Sequence, residues 1–488
     1  VSRILAVAAI AVLIFLSFSG ISTFGVTGPD EPRYASIGQE MARSNDWVTP
    51  RLWGAPWFEK PALLYWTIGA AFKAGFSEDV APRLPVACLS VAFLLFFFNF
   101  LRMEFNLFVG SVASALLATS AMWMGFSHVA VTDIPLAVFY CAAVLFALPA
   151  VEGRPAHLGW AAASLALSVL AKGLVPLVLF LPFFWYARKY WRNWLKPVPV
   201  LVFLAVALPW YIACTVRNGP AFLDVFFLQH QLGRFTSPAL QHVQPFWFYL
   251  PWMIGALFPS ILLLAFAGTR RIYVDDRRRL LLALIVFGFV FFSASRNKLP
   301  GYILPLLPFV CILTACGMDA ARRLFPKPLA MATALSMFLL PVFMLAAGLL
   351  PRALAGGGAH ALFPVDLTTA GRVADVIPIA IVAAIASFFL TRERALVLWF
   401  ALVCAGWGYV EYAALPWLDR MGSARMTWRA LPEPKRQYCV GNVSRGWRYG
   451  LNYYAVTPLR ECAAGAEAHS IEPAVSGDGL RTIPGTIQ

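Results

Sequence analysis

The chain has 488 residues, 60% of them apolar or aromatic and only 13% charged, and its mean hydropathy is +0.71. Soluble domains carry about 25% charged residues, so this composition excludes a soluble enzyme, a disordered chain and a disulfide-knotted secreted module, and makes lipid the solvent. The net charge of +15 fits the cytoplasmic loops of a membrane protein better than a nucleic-acid surface.

In chain order, apolar runs predict about thirteen membrane-spanning helices. They lie at about 4–24, 84–101, 107–126, 134–151, 157–171, 174–187, 197–216, 246–268, 280–295, 302–318, 328–350, 374–390 and 395–414. The first run has only Arg3 ahead of it and no A-x-A pattern. It reads as a retained anchor, with a cleaved signal peptide as the other reading. With Arg3 in the cytoplasm, every second loop is basic: Arg102; Arg154; Arg188, Lys189, Arg192 and Lys196; Arg270, Arg271 and Arg277 to Arg279; Arg322, Arg323 and Lys327; Arg392 and Arg394. This alternation puts the amino terminus in the cytoplasm and the tail beyond about 415 outside. The expected organisation is a transmembrane domain at 1–414, containing a long external loop at 25–83, and an external domain at 415–488. Six of the eight cysteines lie in or beside apolar spans, where a thiol behaves as a small hydrophobe. The other two, Cys439 and Cys462, lie in the external tail, where oxidation into a disulfide is an option. Alternation at Tyr438–Val440 and Leu451–Tyr454 predicts a small α/β or β module there.

The external polar residues begin with Gly28-Pro29-Asp30-Glu31-Pro32-Arg33-Tyr34. Pro32 suits a first helical position, and Tyr34, Ile37 and Met41 recur at helical spacing. They predict a short amphipathic helix in the membrane interface. Asp30 and Glu31 either cap that helix or present a carboxylate at a cavity mouth, able to hydrogen-bond or deprotonate an acceptor. In Trp57-Phe58-Glu59-Lys60-Pro61, Lys60 either snorkels to a neighbour or lipid phosphate, or grips a phosphate of the substrate. Asp133 and Lys172 sit at the external ends of spans, where a charge is either structural or functional.

In the 217–245 loop, His230 could join Glu59 in holding a divalent ion, or simply make hydrogen bonds. Arg234 suits bidentate phosphate binding. Arg296-Asn297-Lys298-Leu299-Pro300-Gly301-Tyr302 adds further cations and a phenol. Several cations and carboxylates on one membrane face suit a lipid-linked anionic substrate. The sequence has no Walker A or dinucleotide glycine motif, so no nucleotide cofactor is expected.

Taken in order over roughly 25–310, these residues resemble the C-type integral membrane glycosyltransferases. The similarity is to bacterial aminoarabinose-lipid A transferases and protein O-mannosyltransferases. It rests on Asp30-Glu31-Pro32-Arg33-Tyr34, Glu59-Lys60-Pro61 with Leu64-Tyr65-Trp66, Thr132-Asp133, Ala171-Lys172-Gly173, His230 with Arg234-Phe235, and Lys298-Leu299-Pro300 with Tyr302. The resemblance implies an α-helical polytopic fold with interfacial helices in the first periplasmic loop and a small C-terminal periplasmic module. It implies transfer of a sugar from a polyprenyl (undecaprenyl) phosphate to a lipid A, glycan or protein acceptor, with inversion, at the periplasmic face of a bacterial inner membrane.

By the same resemblance Asp30 is the catalytic carboxylate and Asp133 supports it. Lys60, Arg234, Tyr302 and Lys298 contact the donor phosphate, and Glu59 and His230 hold a divalent metal. Two departures stand out. Lys60-Pro61-Ala62 replaces the family's Lys-Pro-Pro, and the tail of about 70 residues is short for the aminoarabinose enzymes, which opens the question of the acceptor. The competing class is a lipid or solute transporter or flippase. Transporter sites lie near the bilayer midplane within repeated halves, whereas these ionisable groups gather at external span ends and no repeat is visible.

Overall fold

The computed structural model describes residues 11–12, 14–194, 196–226, 244–324, 326–352, 367–463, 470–473 and 480–483. The protein is a polytopic helical bundle with a small sheet module at its carboxyl end. Among the described residues six helices are long and apolar enough to cross a membrane: Leu84–Glu104, Asp133–Glu152, Pro197–Asn218, Pro300–Leu324, Gly371–Phe389 and Arg392–Gly422. Three further runs are bent pairs, Leu107–Ala118 with Ala121–Ser127, Phe246–Ala256 with Ile261–Gly268, and Lys327–Met337 with Pro341–Leu349. Counting each pair as one span gives up to nine.

The other four expected spans lack one unbroken helix of spanning length and composition within the described residues. Leu158–Lys172 has 15 residues. The 174–187 run is broken into Val175–Leu179 and Leu181–Ala187, each with a proline in its first turn. Asp276–Ala294 begins with a charged Asp-Arg-Arg-Arg turn. The 4–24 run lies partly outside the described residues.

Burial separates centre from rim. In Asp133–Glu152 and Pro300–Leu324, 89% and 94% of the apolar stretch is buried, against 17% in Pro197–Asn218. Tyr140 packs edge-on against Phe309 between the two central spans, 5.9 Å apart. A rim helix exposes apolar side chains such as Leu201 and Val216, as a lipid-facing surface requires.

The first external loop folds into two helices, Asp30–Ser44 and Leu63–Lys73, with a two-residue-per-strand hairpin, Arg51–Leu52 and Ala55–Pro56, between them. The Asp30–Ser44 helix departs from expectation twice. It starts at Asp30, so Pro32 stands at its third position, where its missing N–H is still one of the unpaired helix-start donors. Eleven of its 15 residues are buried. It is enclosed by protein rather than laid along an interface.

The Leu63–Lys73 helix of the same loop packs against the Asp30–Ser44 helix, with the Arg445–Ala455 helix of the tail beside it, and the tail ties down both ends of the loop. The Arg392–Gly422 helix continues past 414, and Asp419 accepts the Gly25 N–H at 2.8 Å. Arg425 pairs with Asp419 at 2.7 Å and donates to the carbonyls of Ser22 and Thr23. A Cβ on Gly25 would lie 2.1 Å from Ser423 Oγ, so no larger residue fits that approach. Arg429 and Tyr453 hold the far end of the loop at Glu78 and Asp79.

Leu451–Tyr454 lies in a helix, Arg445–Ala455, rather than in a strand. Enclosure on several sides buries Leu451 to Tyr454 consecutively, which mimics no strand; the helical signal was Trp447, Leu451 and Tyr454 at spacings of four and three. The sheet order is Cys439–Val440, Ser470–Pro473, Leu480–Ile483, the first pair parallel and the second antiparallel. Cys439 and Cys462 form a disulfide across a sequence separation of 23. Replacing both with serine is expected to cost the module about 2–4 kcal/mol, seen as a lower melting temperature and earlier proteolysis of the tail.

Candidate active site

Asp30 is the first residue of its helix, and its side chain is 41% exposed. Arg33, one turn later and 6% exposed, donates to it through Nη2. Arg33 also reaches Glu59 Oε2 at 2.9 Å through Nη1 and the Pro29 carbonyl at 2.9 Å through Nε. Lys60 Nζ lies 3.1 Å from Glu59 Oε1, with both side chains buried. The result is a line of alternating charge, Asp30–Arg33–Glu59–Lys60, whose outer end alone is substantially exposed. Burial opposes the Arg33 charge, but Glu59 and Asp30 outweigh it and lift its pKa above the ordinary arginine range. Three aromatic rings surround the guanidinium: Trp57 at 5.4 Å, Tyr449 at 5.6 Å and Tyr34 at 5.9 Å. Burial, then the carboxylates, holds Tyr34 and Tyr65 well above the usual phenol range, so both stay neutral.

Glu31 plays a different part from its neighbour. It is 1% exposed, and both its oxygens pair with Arg83, at 2.7 and 2.8 Å. It also accepts the N–H groups of Thr27 and Ala130. Arg83 further donates to the carbonyls of Ile21, Phe24 and Gly25. Glu31 is therefore a structural tie that fixes the 128–133 connection to the start of the Asp30 helix.

That connection leads to Asp133, the first residue of the central Asp133–Ala147 helix. Lys172 Nζ meets Asp133 at 2.6 Å and lies 5.0 Å from the Tyr302 ring centroid. Gly301 passes so close that a Cβ would stand 2.5 Å from Asp133 Oδ1. Asp133, Lys172 and Tyr302 thus form a second cluster. No hydrogen bond or ion pair among the described residues joins Asp30 to Asp133 directly; Glu31 and Ala130 connect them. Lys298 is buried, and its ammonium donates to the carbonyls of Ser295 and, at 3.0 Å, Gln244. Burial pushes its pKa down. It holds the 244–248 segment against the 295–299 turn. His230 and Arg234 lie outside the described residues.

Residues 59–213 match the family described as dolichyl-phosphate-mannose-protein mannosyltransferase. The chain is 33% identical over 316 residues to the undecaprenyl phosphate-alpha-4-amino-4-deoxy-L-arabinose arabinosyl transferase 2 of Pseudomonas fluorescens, covering 61% of this chain and 54% of that one. It is 35% identical over 311 residues to the corresponding transferase of Pseudomonas aeruginosa, covering 60% and 56%. The chain is homologous to these arabinosyl transferases. It spans little more than half the length of the curated relatives it matches. The crystal structure of ArnT from Cupriavidus metallidurans bound to undecaprenyl phosphate has the same fold, with a TM-score of 0.76 at 23% identity, covering 95% of this chain and 86% of that one. The apo form of that protein gives 0.71 at 24% identity, covering 94% and 84%.

Within this arabinosyl-transferase homologue, three contributors escaped the sequence reading. Arg33 was visible as a helical neighbour three residues after Asp30, yet received no role. Arg83 stands at the loop-to-span boundary, where a lone arginine resembles an interfacial anchor. Tyr449 comes from the tail, and no sequence signal ties it to Asp30. A metal at Glu59 fits poorly: each carboxylate oxygen already faces a cation. Among the described residues no group of three His, Cys, Asp or Glu could hold an ion.

Proposed function

We propose that the chain is an inverting glycosyltransferase that moves a sugar from a polyprenyl phosphate, of the undecaprenyl type, to a lipid A, glycan or protein acceptor at the periplasmic face of a bacterial inner membrane. The supporting observation is an exposed carboxylate, Asp30, held at the end of a buried Arg33–Glu59–Lys60 ion chain in a homologue of the arabinosyl transferases. The ArnT of Cupriavidus metallidurans, which shares the fold, has been crystallised bound to undecaprenyl phosphate. Thirteen spans with a cytoplasmic amino terminus place Asp30, Asp133 and the 415–488 tail domain on the same external side, in keeping with the basic residues of alternate loops.

In this reading the acceptor oxygen attacks the anomeric carbon as the bond from that carbon to the phosphate oxygen breaks. The electron pair leaves on the polyprenyl phosphate, and a hydroxyl acceptor's proton passes to the Asp30 carboxylate. Arg33 orients that carboxylate. Lys60, Arg234, Tyr302 and Lys298 meet the charge that grows on the departing phosphate. Asp133, held by Lys172, orients the sugar or acceptor. A lipid-linked donor carries its own leaving group, so no nucleotide is needed.

Purified protein in lipid provides the test, with mass spectrometry of the lipid that co-purifies and of the transferred product. Bound polyprenyl phosphate with sugar transfer supports the reading. Absence of both, with solute flux in proteoliposomes, would replace it with a transporter. Lys60→Ala is expected to raise the apparent KM for the donor and lower kcat together, because phosphate charge is present before and greater during transfer. Unchanged kinetics would remove Lys60 from the donor site.

A further inference from the structure

The end of the bundle away from Asp30 carries charge that the transfer chemistry does not use. The Arg392–Gly422 helix has 31 residues, about 46 Å of length, with Asp419 beside the first loop at one end and Arg392 at the other. Around Arg392 opens a pocket of about 770 Å³ lined by Arg322, Arg323, Lys327 and Arg392, with Glu393 as its one acidic lining residue among those described. Arg322 pairs with Asp319 at 2.8 Å and Glu393 at 2.7 Å, and Arg323 with Asp319 at 3.0 Å. Arg392 instead donates to the Arg322 carbonyl at 3.0 Å. Neither it nor Lys327 has a carboxylate partner among the described residues. Among the described residues, four cations facing two carboxylates leave two positive charges uncompensated.

An apolar groove of about 920 Å³ starts at the same place, since Arg322 and Glu393 line both. Its walls include Phe15, Leu16, Leu107, Val112, Leu396 and Phe400, from three separate elements. Phe15 is 66% and Leu107 65% exposed, so no described residue fills the groove.

We propose that this is a binding site for an anionic phospholipid, with the phosphodiester headgroup among Arg322, Arg323, Lys327 and Arg392 and one acyl chain in the groove. An open apolar groove at membrane depth takes hydrocarbon, and the charge at its mouth decides which lipid is retained. Guanidinium groups donate charge-assisted bonds to phosphate oxygens, and a zwitterionic headgroup would bring its own cation into an already positive pocket. A donor polyprenyl chain is disfavoured here because these cations lie at the opposite end of the Arg392–Gly422 helix from the Asp30 loop. The site stands independently of the proposed transfer reaction.

Native mass spectrometry of the full chain, titrated with phosphatidylglycerol and separately with phosphatidylethanolamine, tests it. Wild-type protein is expected to retain phosphatidylglycerol preferentially. Lys327→Glu with Arg392→Glu breaks no ion pair among the described residues and is expected to weaken that retention about tenfold. Ala401→Trp, at an exposed groove position, is expected to weaken it without changing any charge. Equal retention of both lipids, or phosphatidylglycerol retention unchanged in both variants, would overturn the proposal. So would polyprenyl phosphate retained in preference to phosphatidylglycerol and lost in the charge-reversed variant, which would give the groove to the donor.

Discussion

Asp30→Asn is expected to lower sugar transfer by about a hundred- to ten-thousandfold while leaving folding and polyprenyl phosphate binding intact. Asparagine is nearly isosteric and keeps an oxygen for Arg33 to donate to, so the Asp30–Ser44 helix keeps its start. What disappears is the negative charge and the ability to take a proton. The 41% exposure of the side chain means that little of the buried network depends on its charge, because Glu59 remains as the buried counter-ion of Arg33. Initial transfer rates in lipid, read beside the melting temperature and bound polyprenyl phosphate, make the check. A rate within tenfold of wild type would remove Asp30 from the chemistry.

Arg83→Met should do its damage through stability. Arg83 is 1% exposed and makes five hydrogen bonds, two to Glu31 and three to backbone carbonyls at Ile21, Phe24 and Gly25. Methionine matches much of the stem but leaves Glu31 as a buried charge without its cation. Removing one partner of a buried pair costs about 3–5 kcal/mol. The loss falls where the first span, the Asp30 helix and the 128–133 connection meet, so protein in the membrane should decrease and the melting temperature drop. A melting temperature unchanged from wild type would show that the tail contacts at Gly25, through Asp419 and Ser423, hold this junction alone.

The contrast between these two variants shows how far the sequence could be read. Asp30 and Glu31 are adjacent acids after a glycine and a proline, and from sequence they share both readings, cap or catalyst. Tertiary structure separates them, since consecutive helical side chains point about 100° apart. One side chain is left partly exposed and the other is driven into the Arg83 pocket. Lys298 likewise needed the tertiary structure: its ammonium donates to the carbonyls of Ser295 and Gln244, contacts that the motif alone does not reveal.

Membrane class, the approximate positions of most spans and the alternation of basic loops follow from composition and hydropathy alone. They are properties of local stretches of chain, and lipid reads them locally. The first-loop helix was legible for the same reason, through its spacing of Tyr34, Ile37 and Met41. Bends within spans, the burial of that helix and the joining of Asp133 to Lys172 required tertiary structure. Above all, the contact between Tyr449 and Arg33 links residues 416 positions apart in sequence. No local propensity encodes such a pair; only the packing of the tail over the first loop brings the two side chains together.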